Sequence, residues 1–227
     1  MARQALHGWT LVFDLDGTLI DTAPDLHAAL NHCLETGGFR TVPFEAIRGM
    51  IGEGAKAMIR KGLEHTSAGD GEDTVEALWP GFIDYYSRNI CRLSRPFPGM
   101  ETALAAFAAD GATCAVCTNK TQRLAEEVLE GLGLTARFSV IVGADSVPRK
   151  KPDGGHILQT IERSGGDRSR AIMIGDSQTD ERAARHAGLP FIYVPFGYGP
   201  EPDTPASDLL IAESYEALPA LIASITG

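Results

Sequence analysis

The sequence predicts an α/β fold: a doubly wound parallel sheet covered by helices on both faces, with a helical segment inserted after the first strand. Three observations carry this reading. Short, continuously apolar runs alternate with helical patterns, which is the pattern of βαβ units and suits strands buried on both faces. Residues 20 to about 93 show helical periodicity and no convincing strand. The polar residues closing the apolar runs are carboxylates, a threonine and lysines, and parallel strands bring such ends to one rim.

Leu11-Val12-Phe13 is the first strand. It runs straight into Asp14-Leu15-Asp16-Gly17-Thr18, and the inserted segment begins directly afterwards. Helices are predicted over Ala23–Glu35, Glu53–Glu64 and Glu72–Asn89, with Gly37-Gly38 ending the first. Ser94-Arg95-Pro96-Phe97-Pro98-Gly99 reads as a stiff hinge back into the sheet domain. The chain therefore divides into a discontinuous α/β core, residues 1–19 and 95–227, and a helical lid, residues 20–94.

Beyond the hinge, helices near 100–110, 121–131, 155–164 and 178–187 alternate with four further apolar runs. These are Ala112–Cys117, Phe138–Val142, Ala171–Ile174 and Phe191–Val194. Right-handed crossovers then wind the sheet in both directions. Pro195 to Pro205 reads as a long loop, Leu209-Leu210-Ile211 as a short edge strand, and Pro219 as part of a C-terminal helix.

Composition narrows the function. The 227 residues are 44% hydrophobic and 22% charged, which is ordinary for a globular chain. No window approaches the ~18 apolar residues of a membrane span. The N-terminal stretch Met1 to Trp9 lacks an export signal, which predicts a soluble, cytoplasmic protein. The formal charge of −10 argues against nucleic acid or an anionic membrane as partner. A small anionic substrate would need a local cation. Cys33, Cys91, Cys114 and Cys117 are too few for a disulfide framework, and Cys114-Ala-Val-Cys117 lies in an apolar run, as buried strand cysteines do. His27, His32, His65, His156 and His186 show no metal-ligand spacing.

The rim then collects four clusters: Asp14 to Thr18, Thr118-Asn119-Lys120, Arg149 to Asp153, and Gly175-Asp176-Ser177-Gln178-Thr179-Asp180. Gathered carboxylates repel one another unless a cation joins them or some protonate. Magnesium suits this donor set, because it takes hard oxygen ligands, typically one or two carboxylates plus a substrate phosphate. Such a site suits phosphoryl transfer, where positioning and charge neutralisation do most of the work.

Asp14-Leu-Asp-Gly-Thr-Leu19 resembles the DxDGT signature of the haloacid-dehalogenase-like (HAD) hydrolase superfamily. Thr118, Lys151-Pro152 and Gly175-Asp176-Ser-Gln-Thr-Asp180 resemble its second, third and fourth motifs, in order and across essentially the whole chain. The helical insert resembles the superfamily's C1 cap on a Rossmann-like core. Asp21-Thr22-Ala23-Pro24-Asp25-Leu26, with Gly52-Glu53-Gly54, is similar to phosphoglycolate phosphatases.

The resemblance implies a magnesium-dependent phosphatase that forms an aspartyl-phosphate. Asp14 would be the nucleophile and Asp16 the general acid and base. Asp14, the backbone carbonyl of Asp16 and Asp176 would hold Mg2+. Thr118 and Lys151 would hold phosphate oxygens, helped by backbone N–H groups near Asp16 and Asn119. Lys151 is preferred to Lys150 because the family's lysine directly precedes proline. Asp180 would orient Lys151 or a metal-bound water. Thr118 also reads as a helix N-cap, a role compatible with phosphate binding.

Gly49, Gly52 and Gly54 match no phosphate-loop pattern and read as a lid loop facing the site, where Gly52 and Gly54 would help select substrate. Arg48, Lys56 and Arg60 are either partners of a substrate carboxylate or solvated helix charges. The expected substrate is a small phosphorylated metabolite, 2-phosphoglycolate first. A sugar-phosphate phosphatase or β-phosphoglucomutase-like phosphotransferase is the close alternative. A receiver-like phospho-aspartate signalling module is the non-enzyme alternative, although such modules lack both the long insert and an acid two residues past the nucleophile.

Overall fold

The computed structural model describes residues 5–67 and 71–227. The first four residues of the segment read for export lie outside that range. Six parallel strands form the central sheet, in the order β5-β4-β1-β6-β7-β8. They are β1 (Thr10–Phe13), β4 (Thr113–Cys117), β5 (Ile141–Val142), β6 (Ala171–Gly175), β7 (Phe191–Tyr193) and β8 (Leu210–Ile211). All four residues of β1 are buried, because the strand lies between β4 and β6 with helices on both sides.

Strand alternation sends side chains to two separate cores. Leu11, Phe13, Val116, Ile172 and Ile174 pack with α4 (Met100–Ala109), α5 (Gln122–Gly131) and α8 (Leu218–Thr226). Val12, Cys117 and Met173 face α6 (Gly154–Arg163) and α7 (Gln178–Ala187). Each buried Leu, Ile or Phe contributes about 1.5–3 kcal/mol, so both helical layers are firmly attached. Cys114 joins the first core and Cys117 the second, so these thiols point away from each other. All four cysteines are free, and burial pushes the Cys114 and Cys117 thiols up to about 12.

The inserted segment holds α1 (Ala23–Thr36), α2 (Ala55–His65) and α3 (Glu72–Arg88). Leu26, Leu30 and Leu34 recur every four residues on α1 and meet Ile59, Leu63, Val75 and Phe82 in a third cluster. A Cβ at Gly62 would lie 3.0 Å from Leu30 Cδ1, so the missing side chain lets α1 and α2 approach closely. Pro80 sits inside α3 on its exposed side, where the lost hydrogen bond faces water.

Strand β5 is shorter than read, Ile141–Val142 rather than Phe138–Val142, and the insert differs from expectation in two places. Helix α2 begins at Ala55 rather than Glu53, because Gly54 takes φ 98°, outside the helical region. A strand pair also occurs where none was read: β2 (Ile20–Asp21) and β3 (Arg95–Pro96) run antiparallel. The chain therefore enters and leaves the insert through adjacent strands. The Asp25 carboxylate secures this crossing by accepting from the backbone N–H groups of Leu93 and Ser94 and from Ser94 Oγ at 2.6 Å.

Candidate active site

Asp14 leaves β1 with its backbone N–H still bonded to Ile174 O, at 3.0 Å. The chain then turns at once, since Gly17 N–H reaches Ile20 O and Leu19 N–H reaches Leu15 O. Gly17 makes the turn possible on two counts. Its φ of 86° is left-handed, and a Cβ there would lie 2.3 Å from Asp176 Oδ2. The turn parts the two carboxylates of the first cluster. Asp14 joins Asp176 and Asp180, with one ligand atom from each within 4.8 Å of the others, whereas the Asp16 carboxylate turns elsewhere.

Lys151 lies inside this acidic group. Its Nζ is 2.9 Å from Asp14 Oδ1 and donates to Asp180 Oδ1 at 2.6 Å. Burial pulls the Lys151 ammonium down, but Asp14 and Asp180 outweigh it and hold it above the ordinary lysine range. Lys150 instead donates to the backbone carbonyl of Glu53. Asp180 is fully engaged: Oδ1 takes Lys151, while Oδ2 takes Ser177 Oγ in the capping box of α7. Its place one turn after Asp176 brings its Oδ1 to the lysine.

Asp14 is 4% exposed, and its Oδ1 is held by the Lys151 ammonium, with no further hydrogen-bond donor among the described residues. Burial, with Asp180 and Asp176 adding repulsion that Lys151 only partly offsets, pushes its carboxyl up to about 8. Burial and Asp180 push Asp176 up to about 6, against the N–H groups of Gly199 and Tyr198 that donate to its Oδ2. Three buried carboxylates share one lysine. This deficit of positive charge, with the carboxylate oxygens of Asp14 and Asp176 gathered together, fits a hard divalent cation held by those two residues.

Thr118 closes β4 and is 1% exposed, and its Oγ1 accepts from Lys120 N–H. It does not cap α5, whose N-cap is Thr121. Asn119 Nδ2 donates to Gly52 O and to Lys151 O, each at 3.0 Å, and so joins the insert to the third rim cluster.

Sequence reading assigned no role to Lys120, although the residue ends the second rim cluster. Its Nζ reaches both oxygens of Asp16, at 2.8 and 2.9 Å, and Thr22 Oγ1 donates to Asp16 Oδ1 at 2.6 Å. Burial pulls the Lys120 ammonium down, and Asp16 more than restores it, so the charge is retained. A cavity of about 320 Å³ opens beside this pair, between the insert and the core, lined by Gly52, Gly54, Phe82, Tyr86, Asn119 and Lys120 among others. Arg48 is not at this cavity. It borders a separate one with Asp21, Phe44 and Tyr198 and donates to Gly197 O at 3.4 Å. Lys56 and Arg60 form ion pairs with Glu76 and Glu72 at the solvent side.

Residues 11–194 match the haloacid dehalogenase-like hydrolase family. The chain belongs to that family. Among its relatives, a phosphoglycolate phosphatase of Caulobacter vibrioides is 42% identical over 222 residues, covering 97% of this chain and 94% of the relative. One of Agrobacterium fabrum is 42% identical over 211 residues, covering 92% and 91%. A crystal structure described as a predicted phosphoglycolate phosphatase from Haemophilus somnus 129pt superposes with a TM-score of 0.84 at 26% identity, covering 97% of this chain and 99% of that one. Membership of this hydrolase family makes the chain an enzyme and speaks against the signalling-module alternative. No helix among the described residues is long and apolar enough to cross a membrane.

Proposed function

We propose that this enzyme is a magnesium-dependent phosphomonoesterase whose first substrate is 2-phosphoglycolate, hydrolysed through an aspartyl-phosphate. The reading rests on the Asp14 carboxylate, buried at the rim of the sheet 2.9 Å from a buried lysine and grouped with Asp176 and Asp180. Residues 1–19 and 95–227 form the catalytic core, and residues 20–94 form a cap that encloses a small ester. The names of the relatives favour 2-phosphoglycolate over a sugar phosphate. Four free thiols suit a reducing, cytoplasmic setting.

In the first step an Asp14 oxygen attacks phosphorus as the bond to the ester oxygen breaks, and Asp16 gives its proton to the leaving alkoxide. In the second, Asp16 takes a proton from water as the water oxygen attacks the phosphoryl group, releasing phosphate and restoring the Asp14 carboxylate. Thr118 and Lys151 hold phosphoryl oxygens throughout, with the backbone N–H of Asn119 beside them. Asp14, Asp176 and the Asp16 carbonyl would hold Mg2+, which, when bound, supplies positive charge against the phosphoryl oxygens. Phosphate release from 2-phosphoglycolate that needs Mg2+ and stops with chelator is the expected result. Equal release with chelator would overturn the metal-dependent reading.

The raised carboxyls give this metal a pH signature. Asp14 and Asp176 bind protons more tightly folded than unfolded, so between about pH 4 and 8 the metal-free native state holds more protons. Stability from this site is then present at low pH and lost as pH rises toward 8. Mg2+ must displace those protons, so it stabilises more at pH 8.5 than at pH 5.5. At 100 times its Kd it adds about 2.7 kcal/mol, on the order of 5–10 °C for a chain of this size. Thermal unfolding at the two pH values, with Mg2+ and with chelator, measures the difference. Equal shifts at both would place the metal away from these carboxylates.

A further inference from the structure

Lys120 has no part in the two steps above, yet it holds the carboxylate that both of them use. Its side chain is 5% exposed, and its Nζ occupies both Asp16 oxygens. It also lies 4.8 Å from the centre of the Tyr86 ring, which α3 brings across from the insert. The Tyr86 hydroxyl is buried in the wall of the same cavity and has no hydrogen-bond partner among the described residues. An orphaned buried donor of this kind calls for an acceptor. A cation and a hydroxyl donor, set among Leu26, Phe82 and Ile83, make an anion site in apolar surroundings where charge attraction is strong. Lys56, Arg60 and Lys150 also border the cavity, but they are engaged by Glu76, Glu72 and the carbonyl of Glu53.

Resting on the phosphatase reading, we infer that Lys120 and Tyr86 form the subsite for a second anionic group on the substrate, and that Lys120 passes from Asp16 to that group when substrate binds. Reach limits the spacing. Asp16 must come within hydrogen-bond distance of the ester oxygen, and Lys120 within the same distance of Asp16. Two such lengths place Lys120 Nζ within roughly 6 Å of the ester oxygen, and its contact to the second anion adds a third, so that anion lies within roughly 9 Å. A carboxylate one or two carbons away satisfies this. The anion thereby frees the acid that its own ester needs, whereas a neutral ester leaves both Asp16 oxygens occupied. Selectivity falls on kcat as well as on KM.

The test compares kcat/KM for 2-phosphoglycolate and for phosphoglycolamide, which replaces the carboxylate with an uncharged amide. Wild type is expected to favour the acid at least 100-fold. Lys120→Met should shrink that ratio to within tenfold, and the conservative Tyr86→Phe should lower it three- to tenfold. If Lys120 merely clamps Asp16, Lys120→Met slows both esters in proportion and the ratio stands, which overturns the inference. Should Lys120→Met fail to fold, an unchanged ratio in Tyr86→Phe overturns it instead. Wild-type turnover of both esters at equal rates also overturns it, while leaving the phosphatase reading intact. Absence of phosphate release from any ester removes that reading and the inference together.

Discussion

Asn in place of Asp14 is expected to abolish turnover, by on the order of 10⁴-fold or more, because a carboxamide oxygen does not form the acyl phosphate on which both chemical steps depend. The fold should survive. Burial and neighbouring carboxylates push the Asp14 carboxyl up to about 8, so without metal the neutral form is favoured well beyond the ordinary carboxyl range, and a carboxamide resembles that neutral form. Without Mg2+, Asp14→Asn should therefore unfold at the wild-type temperature or above it, and most clearly so at pH 8.5, where wild type carries the unfavourable charge. With Mg2+ the order reverses, since the variant has lost a ligand. Inactivity joined to a preserved metal-free unfolding temperature separates loss of the nucleophile from loss of the fold. Residual turnover near the wild-type level would remove Asp14 from the mechanism.

Much of this arrangement was legible because parallel strands carry their C-terminal residues to one rim. Asp14, Thr118 and Asp176 are separated by more than fifty residues along the chain, yet each follows a buried strand, and β1 lies between the other two. Lys151 could be told from Lys150 only through the proline after it, and it is Lys151 that reaches Asp14. Backbone and cross-domain contacts leave no such trace. The N–H groups of Tyr198 and Gly199 hold Asp176 from a loop whose prolines and glycines announced a turn and nothing more. Gly197 has its reason in space alone, as a Cβ there would lie 2.2 Å from Asp176 Oδ2. The Lys120–Tyr86 contact joins residues on the core and on the insert, so neither helical nor strand periodicity marks it. The pair β2 and β3, two residues each, is too short for any alternation to show.

Asp16→Asn should cost 10²- to 10⁴-fold on 2-phosphoglycolate, the usual worth of a positioned general acid. The loss should depend on the leaving group in a way that tests its cause. An alkoxide leaves poorly without a proton, so the first step fails. A nitrophenolate leaves readily by itself, so Asp14 is still phosphorylated, and the defect moves to the second step, where no base activates water. The variant should then give one rapid equivalent of nitrophenol followed by slow release, as the aspartyl-phosphate accumulates. Stability needs a separate control, because Lys120 loses a buried charge partner, and an unpaired buried ion costs about 3–5 kcal/mol. Combining Asp16→Asn with Lys120→Met removes the stranded charge and should recover part of the unfolding temperature while leaving the burst in place. A folded Asp16→Asn enzyme that shows no burst on the aryl ester would mean that Asp16 is needed before any proton is given to the leaving group, and the acid–base assignment would fall.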